Sequence, residues 1–311
     1  MKNINVIFMG TPSFAVPVFK KIIEETNVIL LVSQPDREKD RKGNLLPTPT
    51  KKVALENNIE VYQPDKIKES YEKITSLKPD IIITCAYGQI IPEEILKYPK
   101  YGCINVHGSL LPKLRGGAPI HHAIINGEKV TGITIMYMDK QMDSGDIISQ
   151  EKIMISDNDT LDIVYEKMSL LGADLLIKTL PKIINGTNQR IKQDEKEVTF
   201  GYNITKEEEK IDFSKNSKDI HNRIRGLSSI PGAYCFLDNK RLKIYQSELT
   251  TSKSNKSYGE ITKIDKTGMY VNTNDYIIKI TEMKLEGKKR CFVKDFVNGI
   301  KIEEYIGKVL K

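Results

Sequence analysis

The sequence has no long hydrophobic run and few of the residues that build metal or redox sites. No apolar stretch in its 311 residues approaches the roughly 18 that a membrane span needs, so a membrane protein is disfavoured. The four cysteines are scattered, without any C-x-x-C spacing, at Cys85, Cys103, Cys235 and Cys291. This pattern argues against a zinc knuckle, a redox pair or a disulfide scaffold, and we expect reduced thiols in a cytoplasmic protein.

Nucleotide-binding motifs and metal-ligand spacings are missing as well. The turn at Gly10-Thr11-Pro12 contains neither G-x-G-x-x-G nor G-K-[ST], so a dinucleotide site and a P-loop are rejected. His121, His122 and His221 have no metal-ligand spacing with cysteines or carboxylates, so no metal is expected. The first apolar run, which follows residue 3 directly, is too short for a secretion signal.

The first part of the chain alternates short apolar runs with amphipathic segments. Strands are predicted at 5–9, 28–33, 59–62, 80–85, 102–106 and 132–138. Helices are predicted at 14–25, 67–77, from 120 onward and at 160–185. Because strands that alternate with helices indicate βαβ units, we expect an α/β fold with a doubly wound, Rossmann-like sheet.

The composition changes near residue 190. Residues 190–209 are polar and charged, which is typical of a linker. After one predicted helix at 218–225, short strands are predicted at 232–237, 241–246, 258–264, 268–272 and 276–285. A closing helix is predicted at 293–298. The strand spacing favours a small barrel or sandwich, and we expect a C-terminal β-barrel that is OB-like.

The net charge of +7 is confined to the second part of the chain. Residues 1–189 contain 23 Lys or Arg and 23 Asp or Glu, whereas residues 190–311 contain 25 and 18. A basic domain attached to a neutral one is a weak indication of a nucleic-acid partner.

Polar side chains are concentrated after two of the predicted strands. Asn105 and His107 are two residues apart, so they share one face of an extended chain. Open α/β sheets place their sites at the carboxyl ends of strands. The loop 138–146 follows the next strand, so we expect its three aspartates at the same edge: Asp139, Asp143 and Asp146. From spacing alone, a structural histidine and ordinary turns remain an open alternative to catalysis.

Two motifs connect these residues to a known family. Asn105-x-His107-x-Ser109-Leu110-Leu111-Pro112-x-x-Arg115-Gly116 and Met142-Asp143-Ser144-Gly145-Asp146 together resemble the motif pair of formyltransferases that use 10-formyltetrahydrofolate. Stretches 8–15, 34–49 and 86–88 narrow the resemblance to the methionyl-tRNA formyltransferase family. The resemblance is strong over 1–180 and weaker beyond, where a proline-glycine element remains at 230–234 but the usual tryptophans are absent.

The resemblance implies transfer of a formyl group from 10-formyltetrahydrofolate to the α-amino group of methionine on the initiator tRNA. It assigns catalysis to Asn105, His107 and Asp143. In that reaction Asn105 would donate to the developing oxyanion, His107 would donate or shuttle protons, and Asp143 would orient His107. Folate binding is assigned to Tyr87, Gly88, Gln89, Ile90, Ser109, Leu110, Leu111, Pro112 and Asp139.

Two basic features are expected to hold the tRNA. Segment 37–52 contains two prolines and a glycine, so it is predicted to be a long loop rather than a helix. Its basic residues include Arg37 and Lys42. The resemblance implies that this loop enters the acceptor stem and that Arg41 matches the family's key arginine. The second feature is the basic C-terminal domain, including Lys288 and Lys289.

These expectations define three parts of a chain that we expect to be monomeric. They are a catalytic domain at 1–189, a linker at 190–209 and a tRNA-binding β-barrel at 210–311. Three alternatives remain open. The chain could formylate a small amine of the amino-sugar nucleotide or glycinamide ribonucleotide type, or it could hydrolyse 10-formyltetrahydrofolate. It could also be a non-catalytic RNA-binding module with a decayed Rossmann-like domain.

Overall fold

The computed structural model describes residues 1–40 and 42–311. The strands in this part of the chain are β1 (Asn5–Gly10), β2 (Asn27–Val32), β3 (Val61–Tyr62), β4 (Ile81–Cys85), β5 (Cys103–His107), β6 (Val130–Tyr137), β7 (Ile147–Met154), β8 (Ala233–Leu237), β9 (Lys240–Leu249), β10 (Ile261–Asp265), β11 (Gly268–Val271), β12 (Ile278–Leu285) and β13 (Cys291–Phe292). The α-helices are α1 (Ala15–Glu25), α2 (Pro49–Glu56), α3 (Tyr71–Ser76), α4 (Glu93–Leu96), α5 (Pro119–Ile125), α6 (Leu161–Ile184), α7 (Lys206–Glu209), α8 (Ser217–Gly226) and α9 (Val293–Phe296). Short 3₁₀ turns cover Ile67–Glu69, Glu195–Glu197, Val297–Gly299 and Ile302–Glu304. None of the described helices combines the length and the apolar composition needed to cross a membrane.

The chain forms two compact units. The first contains Met1–Pro119, Val130–Met154 and Tyr165–Tyr202. The second contains Ile120–Lys129, Ile155–Val164 and Asn203–Lys311.

The first unit is built on a seven-stranded sheet with the order β3-β2-β1-β4-β5-β6-β7. The first five strands are parallel, and their apolar side chains form the core on which helices pack. Every residue of β4 is buried, as expected for a central strand covered on both faces. The buried residues of α1 recur at helical spacing, at Ala15, Val18, Phe19 and Ile22. The predicted α/β, Rossmann-like architecture is confirmed.

Two elements of this unit differ from the sequence-based expectation. Strand β7 was not predicted, and β6 runs antiparallel to both β5 and β7. Segment 37–52 is not a loop throughout, because α2 begins at Pro49. The Thr48 side chain caps this helix by accepting a hydrogen bond from the Lys51 amide, and proline fits the first helical position, where no amide donor is required.

The second unit contains an antiparallel sheet with the order β10-β11-β12-β9-β8, and β13 pairs with β12. Its core includes the inward-facing residues of these strands and Ile220, Ile224 and Leu227 in and after α8. The backbone of Lys311 exchanges hydrogen bonds of 2.7 and 3.0 Å with Phe236 on β8, while that of Leu310 donates to Gly259 just before β10. The C-terminal segment thus connects to both edges of the sheet. The antiparallel C-terminal sheet is confirmed, and its OB-like character stays a prediction.

Candidate active site

Strand β5 carries two polar side chains at its carboxyl end. The Asn105 side chain is oriented by Thr84 on β4, whose hydroxyl donates to Asn105 Oδ1 at 2.8 Å. Thr84 is buried, since only 2% of its surface is exposed. With Oδ1 held in this way, Nδ2 of Asn105 has no hydrogen-bond partner in the described part of the chain. The site therefore presents an amide donor that is available to an incoming acceptor.

The imidazole of His107 lies between two acceptors. Its Nε2 is 3.1 Å from the carbonyl oxygen of Leu114, which can only accept, so Nε2 carries a hydrogen. Its Nδ1 is 3.6 Å from Oδ1 of Asp143. That distance exceeds a normal hydrogen bond, so a movement of about half an ångström or more would bring the pair together on a shared proton. His107 is 5% exposed and the Asp143 side chain 14%, which limits screening by water.

Asp143 reaches His107 by a route that the sequence did not predict. Strand β6 is antiparallel to β5, so the loop 138–146 begins at the amino end of β5, away from His107. There the Met138 amide donates to the Cys103 carbonyl. The prediction that all three aspartates lie at the carboxyl edge of the sheet, because their loop follows the next strand, is therefore wrong. Asp143 lies near His107 because the loop itself carries it there. Its Oδ2 accepts from the Gly116 amide at 2.8 Å, and its φ of 53° places it in the left-handed region.

The other two aspartates of this loop bind elsewhere. Asp146 accepts from Arg190 at 3.0 Å. Asp139 is exposed, and its Oδ1 accepts from the neighbouring Lys140 amide at 2.7 Å.

Three side chains support the site without having been predicted to do so, those of Arg115, Thr84 and Gln193. Arg115 belongs to the motif that begins at Asn105, but no role was predicted for it. Its side chain is 4% exposed and donates to Gln193 and Glu195 at 3.0 and 2.8 Å. Thr84 and Gln193 gave no signal in the sequence, because single polar residues on a buried strand or in a charged segment are unremarkable.

The residues predicted to bind folate at 87–90 point their side chains in different directions. Tyr87 is buried in the core, where its hydroxyl has no partner among the described residues, and burial raises its pKa strongly. Gln89 turns away to accept from the Ile67 amide at 2.8 Å. Gly88 and Ile90 are exposed, with Ile90 84% accessible. This segment can therefore offer a ligand its exposed backbone and one apolar side chain.

The predicted folate turn at 109–112 is fixed to the sheet. The Ser109 hydroxyl donates to the Lys113 carbonyl at 2.6 Å, so it is already engaged inside the turn. The Leu111 amide donates to Thr134, and its carbonyl accepts from Gln150. Leu110 and Pro112 are partly exposed. The turn is thus rigid, with apolar groups at its accessible surface.

The predicted tRNA contacts are surface residues where the structure describes them. Arg37 and Lys42 are exposed, and Arg41 lies outside the described residues. Lys288 and Lys289 are exposed in the turn between β12 and β13. Among the described residues, no cluster of three or more His, Cys, Asp or Glu side chains is arranged to hold a metal ion.

Solved structures share this architecture. An N-formyltransferase from Helicobacter canadensis, solved with folinic acid and dTDP-3-aminofucose, has a TM-score of 0.66 at 23% identity and covers 93% of this chain and 100% of its own. A methionyl-tRNA formyltransferase from Clostridium thermocellum has a TM-score of 0.56 at 20% identity, covering 80% and 95%. At these identities the likeness establishes the fold.

Sequence comparison establishes the family. Residues 2–180 match the Formyl transferase family, and residues 203–301 match Formyl transferase, C-terminal domain. A methionyl-tRNA formyltransferase from Malacoplasma penetrans is 46% identical over all of this chain and 98% of its own length. One from Staphylococcus aureus is 48% identical over 94% of this chain and 96% of its own. The chain belongs to the methionyl-tRNA formyltransferase family.

Proposed function

We propose that this chain transfers the formyl group of 10-formyltetrahydrofolate to the α-amino group of methionine on the initiator tRNA. The observation that carries the proposal is the arrangement of Asn105, His107 and Asp143, which supplies a free amide donor beside an imidazole and a carboxylate. Acyl transfer to an amine needs a donor for the oxyanion and a group that moves a proton. The relatives of this name, at 46–48% identity over nearly the whole chain, support the same substrates.

Each of the three side chains has a separate task in this reaction. Asn105 Nδ2 donates to the formyl oxygen as negative charge develops there, an interaction typically worth about 3–4 kcal/mol in related chemistry. His107 keeps its Nε2 hydrogen on the Leu114 carbonyl, so Nδ1 is the ring nitrogen that exchanges a proton with the reacting amine. Asp143 stands next to Nδ1 and stabilises the imidazole when it carries the second proton.

The site chemistry fits a folate formyl donor, which supplies an activated formyl group on nitrogen. An amide donor without a partner, Asn105 Nδ2, is what a formyl oxygen requires. The exposed backbone around Gly88 and the accessible side chain of Ile90 suit a flat ring with polar edges. The rigid turn 109–112 and the exposed Asp139 complete the proposed folate surface. No metal is needed for any of these steps.

The tRNA is proposed to contact Arg37, Arg41, Lys42, Lys288 and Lys289. Lys and Arg bind phosphates without reading sequence. The net charge of +7 lies wholly after residue 189, which supports a role for Lys288 and Lys289, whereas Arg37, Arg41 and Lys42 lie in a segment of the neutral part. We retain the division into a catalytic domain, a linker and a tRNA-binding β-barrel as part of this proposal. The product serves translation initiation, so the proposed location is the cytoplasm. The proposed oligomeric state is a monomer.

One assay tests the function directly. The purified protein is mixed with 10-formyltetrahydrofolate and methionyl-tRNA of the initiator or elongator type, and formylmethionine is quantified. An amino-sugar nucleotide replaces the tRNA in a parallel reaction, and a reaction without an acceptor measures hydrolysis. We expect transfer to the initiator tRNA. Absence of transfer to either tRNA would refute the proposal, and transfer to the sugar alone would identify a small-amine enzyme.

Alanine variants test the assigned roles. Replacing Asn105, His107 or Asp143 is expected to lower kcat roughly 100- to 1,000-fold while the protein stays folded. Asp174→Ala, on an exposed position of α6, is the matched control and should leave turnover unchanged. Near-normal turnover in any of the three variants would remove that residue from the mechanism.

A further inference from the structure

The polar segment 191–201 is hydrogen-bonded at several points to the elements that carry the candidate active site. At its start, Ile191 exchanges two backbone hydrogen bonds with Ile147, at 2.8 and 2.9 Å. At its end, the Gly201 amide donates to the Arg115 carbonyl, and Gly201 in turn accepts from the Ala118 amide, both at 2.8 Å. We call residues 191–201 the clamp segment. It lies outside the stretch 2–180 that matches the Formyl transferase family.

Gln193, in the middle of the clamp segment, uses both ends of its side-chain amide. Its Nε2 donates to the carbonyl oxygens of Asp143 and Gly145, at 2.7 and 2.8 Å. Its Oε1 accepts from Nε of the buried Arg115 at 3.0 Å. One side chain therefore ties the loop that carries Asp143 to the turn that carries Arg115.

The same segment holds the partner of His107. The Thr199 hydroxyl accepts from the Leu114 amide at 2.9 Å, and the Thr199 carbonyl accepts from the Arg115 amide, also at 2.9 Å. Leu114 supplies the carbonyl that binds Nε2 of His107. The clamp segment thus fixes the group on one side of the imidazole and the backbone of Asp143 on the other side.

We propose that Gln193 is a positioning residue for formyl transfer, which sets the separation of Asp143 from His107. Asp143 needs an external tether because its φ of 53° lies in a region that residues other than glycine adopt at a cost. The Gly116 amide holds its carboxylate, and Gln193 holds its carbonyl. Removing the second tether lets the loop relax, and a displacement of about 1 Å at a reacting group can lower a rate about 100-fold.

Gln193→Met is the decisive variant, because methionine has a similar volume and forms none of the three hydrogen bonds. We expect kcat for formyl transfer to fall roughly 10- to 100-fold, while KM for both substrates changes less than about twofold. Gln189→Met, on an exposed position of the same region, should match the wild type. Thermal unfolding of both variants checks that the fold is retained.

A double-mutant cycle separates positioning from general damage. If Gln193 acts through Asp143, then Gln193→Met should have almost no further effect in the Asp143→Ala background. An equal loss in both backgrounds, or an unchanged kcat in the single variant, would overturn the proposal.

A second readout does not require turnover. At a fixed pH, the NMR signals of the His107 ring should shift in Gln193→Met in the same direction as in Asp143→Ala, and Gln189→Met should leave them unchanged. Unshifted His107 signals in Gln193→Met would overturn the positioning role even if the wild-type chain formed no formyl product. Because the inference rests on the proposed function only for its kinetic arm, failure of that function is recognised separately by an inactive wild type.

Discussion

Gly145, two residues after Asp143, allows the closest backbone approach in the candidate site. A Cβ at this position would lie 2.0 Å from the carbonyl oxygen of Tyr137 and 2.9 Å from its carbonyl carbon. The φ angle of Gly145 lies outside the left-handed region, so alanine at this position would add no backbone strain. The predicted effect of Gly145→Ala is therefore a purely steric displacement of the loop away from the end of β6.

The size of that displacement follows from the contact distance. Ordinary contacts of a Cβ begin at 3.4 Å, so the loop and Tyr137 must separate by at least about 1 Å. Asp143 is held by a 2.8 Å bond to the Gly116 amide, which does not survive a shift of that size intact. We expect kcat to fall about 100-fold and the free energy of unfolding to drop by about 1–3 kcal/mol, as for overpacked sites.

Steady-state formyl transfer and urea unfolding measure the two quantities. Gly299→Ala is the matched control, because nothing lies within 4 Å of the Cβ that it adds. It should leave kcat unchanged. A Gly145→Ala protein with wild-type kcat would refute the idea that the loop must hold Asp143 within a fraction of an ångström.

Three further predictions concern other parts of the chain. Thr84→Val removes the hydroxyl that orients Asn105, a bond worth about 1 kcal/mol, so kcat should fall about fivefold; an unchanged kcat would contradict this. Burial lowers the pKa of His121 to about 4, so only the unfolded chain gains a proton as the pH falls from about 6.5 to 4, and folding stability should decline there by up to about 3 kcal/mol. Urea unfolding of His121→Leu across this range should show a weaker decline, and an identical pH dependence would count against it. Replacing Lys288 or Lys289 by Ala should lower the slope of tRNA affinity against salt by about one phosphate contact each, while KM for folate stays unaltered. An unaltered salt slope would exclude that lysine from the tRNA contacts.

The fold of the first unit was largely predictable because its central strands are buried on both faces. Strands such as β4 are continuous apolar runs, which a sequence displays directly. Strand β7 was missed because its latter half alternates partly exposed and exposed residues, including Gln150, Glu151 and Lys152, and so shows no apolar run. The reversal of β6 was equally invisible, since the direction of a strand depends on pairing rather than on composition.

The residues of the candidate site were predictable to the extent that they lie in compact motifs. Asn105 and His107 are on one strand, and Asp143 lies in the second of the two sequence motifs. Their residue types and spacing therefore indicated a site. The supporting contacts were not predictable in this way. Gln193 is one polar residue in a charged segment, and it matters only because three backbone and side-chain groups distant in sequence converge on it.

The location of charge separates chemistry from substrate capture. His107 and Asp143 are largely shielded from water, so salt screens their interaction only weakly. Lys288 and Lys289 are exposed, where salt competes fully with phosphate for each contact. The proposed turnover and the proposed tRNA affinity thus depend on different residues and respond differently to ionic strength. A change in one can occur without a change in the other, because the proposed tRNA contacts in segment 37–52 and at Lys288 and Lys289 are different residues from the three candidate catalytic side chains.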